Sequence, residues 1–136
     1  MIAKALAYIT HGDRLLVFRQ PAFPEQGVQV PGGSIEAGEE AAAAALREAR
    51  EETGLGDLKL RQYLGSAEYR LKVDVGPPHL RHFFHLSFDG VSVPRWLYPG
   101  SRRASGAVVE FELWWEPLER VRLDWEMDAL LAALRH

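Results

Sequence analysis

The chain predicts an α/β sandwich, with a mixed β-sheet held between helices, on three observations. Two stretches, from about Glu39 to Thr53 and from Asp124 to Leu134, repeat apolar residues at helical spacing. Around them lie several runs with the apolar alternation of strands, and helices interleaved with strands are the pattern of a layered α/β fold. No repeat, linker or low-complexity tract apart from an alanine run interrupts the 136 residues, so residues 1–136 are expected to form one domain. A chain of this length buries roughly 68% of the surface its unfolded form exposes.

Composition sets further bounds. Hydrophobic residues make up 47% and charged residues 26%, which excludes a disordered chain. There is no cysteine, so disulfides and thiolate metal sites are excluded and packing alone must hold the fold. The N-terminal apolar run is broken by Lys4 and His11 and is too short for a signal peptide or a membrane span. A cytoplasmic protein with no membrane segment is expected. A formal net charge of -3 weighs against long nucleic acid as a partner, because such binding rests on excess Lys and Arg.

Taken in order, Ala3 to Thr10 and Arg14 to Arg19 are apolar runs around His11, Gly12 and Asp13, the signature of a hairpin. Pro21 and Pro24 make Gln20 to Gln26 a loop, which brings Arg19, Gln20 and Phe23 forward as candidate substrate contacts against an ordinary surface loop. Val28 to Val30 predicts a short strand ending at Pro31. Gly32 and Gly33 then allow a backbone turn at a helix entrance. The helix to Thr53 carries Ala42, Ala45, Leu46, Ala49 and Thr53 as its buried stripe and ends on Gly54. Leu58 to Val75 predicts one bent strand or two, with His79 to Phe88 as hairpin partner. His79, His82 and His85 do not predict a metal cluster, because His82 points to the other side of a strand.

Pro94 to Gly106 reads as a long loop in which Trp96 could stack on a base and Arg102 and Arg103 could pair with phosphate, against a plain surface loop. Ala107 to Trp115 alternates as a half-buried strand, with Glu110 and Glu112 sharing a face as candidates for an extra carboxylate or substrate contact. Asp124 is the expected N-cap of the last helix, whose stripe is Met127, Leu130, Leu131 and Leu134.

The chemistry concentrates between Gly33 and Leu55. At about 100° per residue, Glu48 and Glu52 stack one turn apart, with Glu51 at the edge of their face. Like charges at that spacing destabilise an exposed helix by a few tenths of a kcal/mol, so a solvated face is a poor account of them. Ala41, Ala44 and Ala45 share the face and are expected to leave room for a ligand. All-oxygen carboxylate clusters suit hard divalent ions, and magnesium bridges such groups to substrate phosphate.

This segment resembles the Nudix box: Gly, five residues, Glu, seven residues, Arg, Glu, an aliphatic, any residue, two Glu, any residue, Gly, an aliphatic. Gly33, Glu39, Arg47, Glu48, Glu51, Glu52, Gly54 and Leu55 match, with Ala49 where the pattern has a larger aliphatic. The resemblance implies the Nudix α/β/α sandwich and magnesium-dependent hydrolysis of a nucleoside diphosphate derivative, with manganese as the alternative ion. It also implies roles for residues. Glu48 and Glu52 are metal ligands, and Glu51 is a third ligand or the general base. A carbonyl of Gly32 or Gly33 completes the metal shell. Arg47 belongs to the catalytic group by orienting Glu51, and Glu39 holds the loop against the helix, a metal contact being the alternative. The expected partner is a small nucleotide, with a homodimer left open. The competing readings are a non-catalytic nucleotide-binding sensor and an enzyme acting on RNA 5′ ends.

Overall fold

The computed structural model describes residues 1–70, 76–102 and 105–134, with residues 101 and 102 by backbone alone. Its elements are β1 (Ile2–His11), β2 (Arg14–Arg19), β3 (Gly32–Ser34), α1 (Ala41–Thr53), β4 (Leu58–Tyr69), β5 (His79–Phe88), β6 (Arg95–Arg102) and β7 (Val108–Pro117). The sheet runs β4-β5-β1-β2-β7-β6, with β3 attached to β1. Among the described residues only the β1–β5 pairing is parallel, so the sheet is mixed, as expected. The predicted hairpin is β1–β2, where Gly12, at φ +61, takes the left-handed step of the turn.

One edge of β1 changes partner along its length. Lys4 to Leu6 pair with β3, Ala7 N–H donates to the Pro31 carbonyl, and Thr10 and His11 pair with β2. Strand alternation then splits the apolar residues into two cores. Ala5, Ala7 and Ile9 pack toward Ala44, Ala45 and Ala49 of α1. Leu6 and Tyr8 face the other way, toward Val121, Leu123 and Leu131 of the C-terminal segment. No helix among the described residues is long and apolar enough to cross a membrane.

Four expectations need correction. The second layer contains no α-helix at Asp124–Leu134: the segment runs in turns to a 3₁₀ helix at Leu131–Leu134, with Trp125 and Glu126 at φ 60 and 56. At its start the Asp124 carboxylate accepts the Val28 N–H at 2.8 Å, a bond across the chain in place of the expected capping bond. The long loop at Pro94 to Gly106 is for the most part β6, an edge strand on β7 that bulges between Pro99 and Ser101. An edge position tolerates the proline that suggested a loop. The short strand lies at Gly32–Ser34 instead of Val28 to Val30, of which only Gln29 makes an isolated bridge to Phe18. Last, α1 starts at Ala41, and its buried residues are Ala44, Ala45, Ala49, Glu52 and Thr53. Ala44 and Ala45 therefore pack on the sheet, and the room expected for a ligand there is filled. The end of the predicted strand at residues 71–75 and Arg103 lie outside the described residues.

Candidate active site

Small residues let α1 lie close to the sheet, and that closeness places its carboxylates on the backbone of β3. Ala49 is wholly buried against the sheet, where a larger side chain would hold the helix away. A Cβ on Gly33 would come within 2.5 Å of the Glu48 carboxylate, so glycine is what lets this carboxylate rest on the strand. One helical turn on, Glu52 accepts the Gly32 N–H at 2.7 Å. Only 8% of Glu52 is exposed. Burial pushes its pKa well above the usual carboxylate range, and the charges of Glu48 and Glu51 add to the rise against the Gly32 hydrogen bond. Glu48 is also raised, chiefly by burial, with Arg47 opposing.

Arg47 ties the loop before α1 to the helix. Its Nε and Nη2 donate to the two oxygens of Glu39 at 2.8 and 2.9 Å, and Nη2 also reaches the Ser34 carbonyl at 3.1 Å. Nη1 lies 2.8 Å from Glu48 and 3.4 Å from Glu51. Glu39 in turn accepts the Glu36 N–H at 3.0 Å. The Arg47 hydrogen bonds, followed by that N–H, lower the Glu39 pKa to about 2. Glu39 thus has the loop-holding place expected of it, and Arg47 grips Glu39 and Glu48 more closely than Glu51. Among the described residues no three His, Asp or Glu side chains form a ready-made metal cage. The Glu51 side chain is 58% exposed.

A cleft of about 300 Å³ opens beside these groups, with Gly32, Gly33 and Glu52 in one wall and Lys4, His79 and Arg81 among its other lining residues. The NUDIX domain family matches residues 2–134. The chain belongs to the Nudix family. Among curated proteins no relative matches. Solved structures share the fold of this Nudix chain. A MutT Nudix hydrolase from Burkholderia pseudomallei aligns with TM-score 0.67 and 20% identity over 96% of this chain and 95% of its own. An Ap4A hydrolase from C. elegans aligns with TM-score 0.64 and 18% identity over 99% and 96%. A UDP-X diphosphatase aligns with TM-score 0.64 and 17% identity over 98% of this chain, which spans 62% of that protein's length.

The Nudix box residues are brought together; the candidates outside the box are more scattered. Arg19 and Arg95 both pair with Glu112, which lowers the Glu112 pKa, through Arg19 first. Val109, Phe111 and Leu113 belong to the core on the α1 side, so Glu110 and Glu112 stand on the opposite face of β7 from the box. Trp96 donates its indole N–H to the Thr53 carbonyl at 3.0 Å, fastening β6 to the end of α1. Phe23 packs against the α1-side core. Arg102 ends β6. The sequence reading missed Lys4, Gln29, His79, Arg81 and Met127 as cleft residues. The one available signal was Lys4, a charge inside an otherwise apolar strand.

Proposed function

We propose that this Nudix chain, acting as one unit, is a magnesium-dependent hydrolase of the diphosphate linkage in a nucleoside diphosphate derivative, with manganese able to substitute. The observation that carries this is the placing of Glu48 and Glu52 on the backbone of Gly33 and Gly32, with Gly32, Gly33 and Glu52 lining a cleft. Carboxylate and carbonyl oxygens are the donors hard divalent ions take, so the residues present fit such an ion. Glu48, Glu52 and a Gly32 or Gly33 carbonyl would hold it. When bound, the ion draws charge from phosphate oxygens and sharpens the nucleophilicity of water.

The chain's own residues do the positioning. Gly33 keeps Glu48 against the strand, Arg47 fixes Glu48 and the loop relative to the helix, and Ala49 sets the helix height. Water attacks one phosphorus, the bridging P–O bond breaks toward the departing phosphate, and a carboxylate accepts the proton of the water. Glu51, the most exposed of the three, is the residue assigned to that step, because its reach is not spent on buried contacts. Two structural neighbours are named for UDP-X and Ap4A, which supports a small nucleotide as substrate. The test is a set of nucleoside diphosphate derivatives with magnesium, scored for phosphate release after phosphatase coupling. Hydrolysis of at least one is expected. Tight binding without hydrolysis of any would make the chain a sensor instead.

A further inference from the structure

The cleft holds a second group of charges, opposite in sign to the first. In the parallel β1–β5 register, Lys4 stands beside Arg81 and Ile2 beside His79. His79 and Arg81 are two residues apart on one strand and so share a face. All three line the cleft that Glu52 and Gly33 also line. Arg81 and His79 further line an adjoining cavity of about 340 Å³, with Tyr69 and Trp125.

Arg81 is the unusual member. It is 7% exposed, with its guanidinium 3.8 Å from the centre of the Tyr69 ring and its Nη1 donating to the Trp125 carbonyl. Among the described residues no carboxylate forms an ion pair with it, and Glu126 acts on it only through space. Lys4 is half-buried and donates to Ser34 Oγ at 2.8 Å, again a neutral partner. Burial first, then the charges of Lys4 and Arg81, lower the His79 pKa and leave it a neutral N–H donor near neutrality. A buried cation held by a ring and a carbonyl is not neutralised by them, and burying charge without a counter-ion is costly. Arginine forks and lysine points are the groups that recognise phosphate.

We propose that Lys4, His79 and Arg81 form an anion subsite that grips a phosphate of the substrate outside the scissile diphosphate. The substrate class is then a nucleotide with a phosphate beyond the cleaved pair, in preference to a nucleotide-sugar. This deepens the proposed hydrolysis and rests on it for the word substrate, but the subsite is testable without turnover. Inorganic tripolyphosphate is titrated calorimetrically into the whole protein in chelator. Without metal the box carboxylates repel an anion, so binding reports the cation cluster. Binding is expected in the wild type and should weaken at least tenfold in Lys4→Gln and in Arg81→Lys. Lys4→Gln alters a half-buried surface residue and keeps the test alive if the Arg81 variant fails to fold. No binding at millimolar tripolyphosphate, or equal affinity in folded Lys4→Gln, overturns the subsite. In turnover, Lys4→Gln should narrow the preference for adenosine triphosphate over ADP-glucose tenfold through KM, and an unchanged preference also overturns it. If the wild type hydrolyses no nucleotide, the hydrolase reading fails while the calorimetry still decides the subsite.

Discussion

Glu52 shows how far a single residue could be read from the chain. Its place in the box makes it a candidate metal ligand, but its burial against Gly32 is a tertiary fact that helical spacing does not reveal. That burial gives a signed expectation. The folded pKa lies above the unfolded value of about 4.3, so the charged form costs stability at neutral pH, and the cost fades as pH falls below the unfolded value. Glu52→Gln without metal should therefore melt at or above wild type at pH 7, with the advantage gone near pH 4, while kcat falls at least a hundredfold. Melting curves across pH and steady-state kinetics check both halves; a lower melting temperature at pH 7 would contradict the burial argument. Glu39 has the opposite sign, since its pKa is lowered to about 2. Its contribution is complete above about 4.3 and is lost as pH falls toward the folded value.

Among the elements, β1, β2, α1, β5 and β7 were legible because their apolar periodicity is local, whereas the prolines and glycine of β6 hide its pairing with β7 and the C-terminal segment depends on partners far along the chain. Pro94, Pro99 and Gly100 look like breakers in isolation. Pairing to β7 with a bulge after Pro99 absorbs them, and Gly100 leaves space for the Phe111 ring. The C-terminal stripe misled because its spacing fits a helix, while the segment is fixed by other bonds: Asp124 to Val28 N–H, the Trp125 indole to the Gln26 carbonyl, and the Tyr8 hydroxyl to the Met127 carbonyl. The corrected place of Trp96 changes what its removal should do. Trp96→Ala loses the bond to Thr53 and half-buried packing between β6 and α1, a cost of about 2 kcal/mol. Denaturant titration should show that loss with KM on the folded enzyme little changed. A raised KM at unchanged stability would instead make Trp96 a nucleotide contact.

At the scale of the whole molecule, the sheet sets charges of opposite sign in one cleft: the Glu52 carboxylate from α1 at β3, and cations from β1 and β5. The carboxylates were legible because one contiguous segment carries them, and the cations were not because β1 and β5 meet only through a parallel pairing some 75 residues apart in sequence, as in Lys4 with Arg81. With two raised carboxyl groups and an exposed third, the proposed divalent ion at Glu48 and Glu52 should favour the folded protein over the unfolded chain. A ligand that binds only the native state stabilises it by about 2.7 kcal/mol at a hundredfold excess over its dissociation constant. For a domain of this size that is a rise in Tm of several degrees. Magnesium should produce that rise in the wild type and a much smaller one in Glu52→Gln. Sodium at equal ionic strength separates coordination from simple screening, because screening is shared by both salts and acts on the variant too. Melts that coincide in magnesium and in chelator would leave the box carboxylates with Arg47 as their cation among the described residues, and the metal-dependent reading of the box would fall with them.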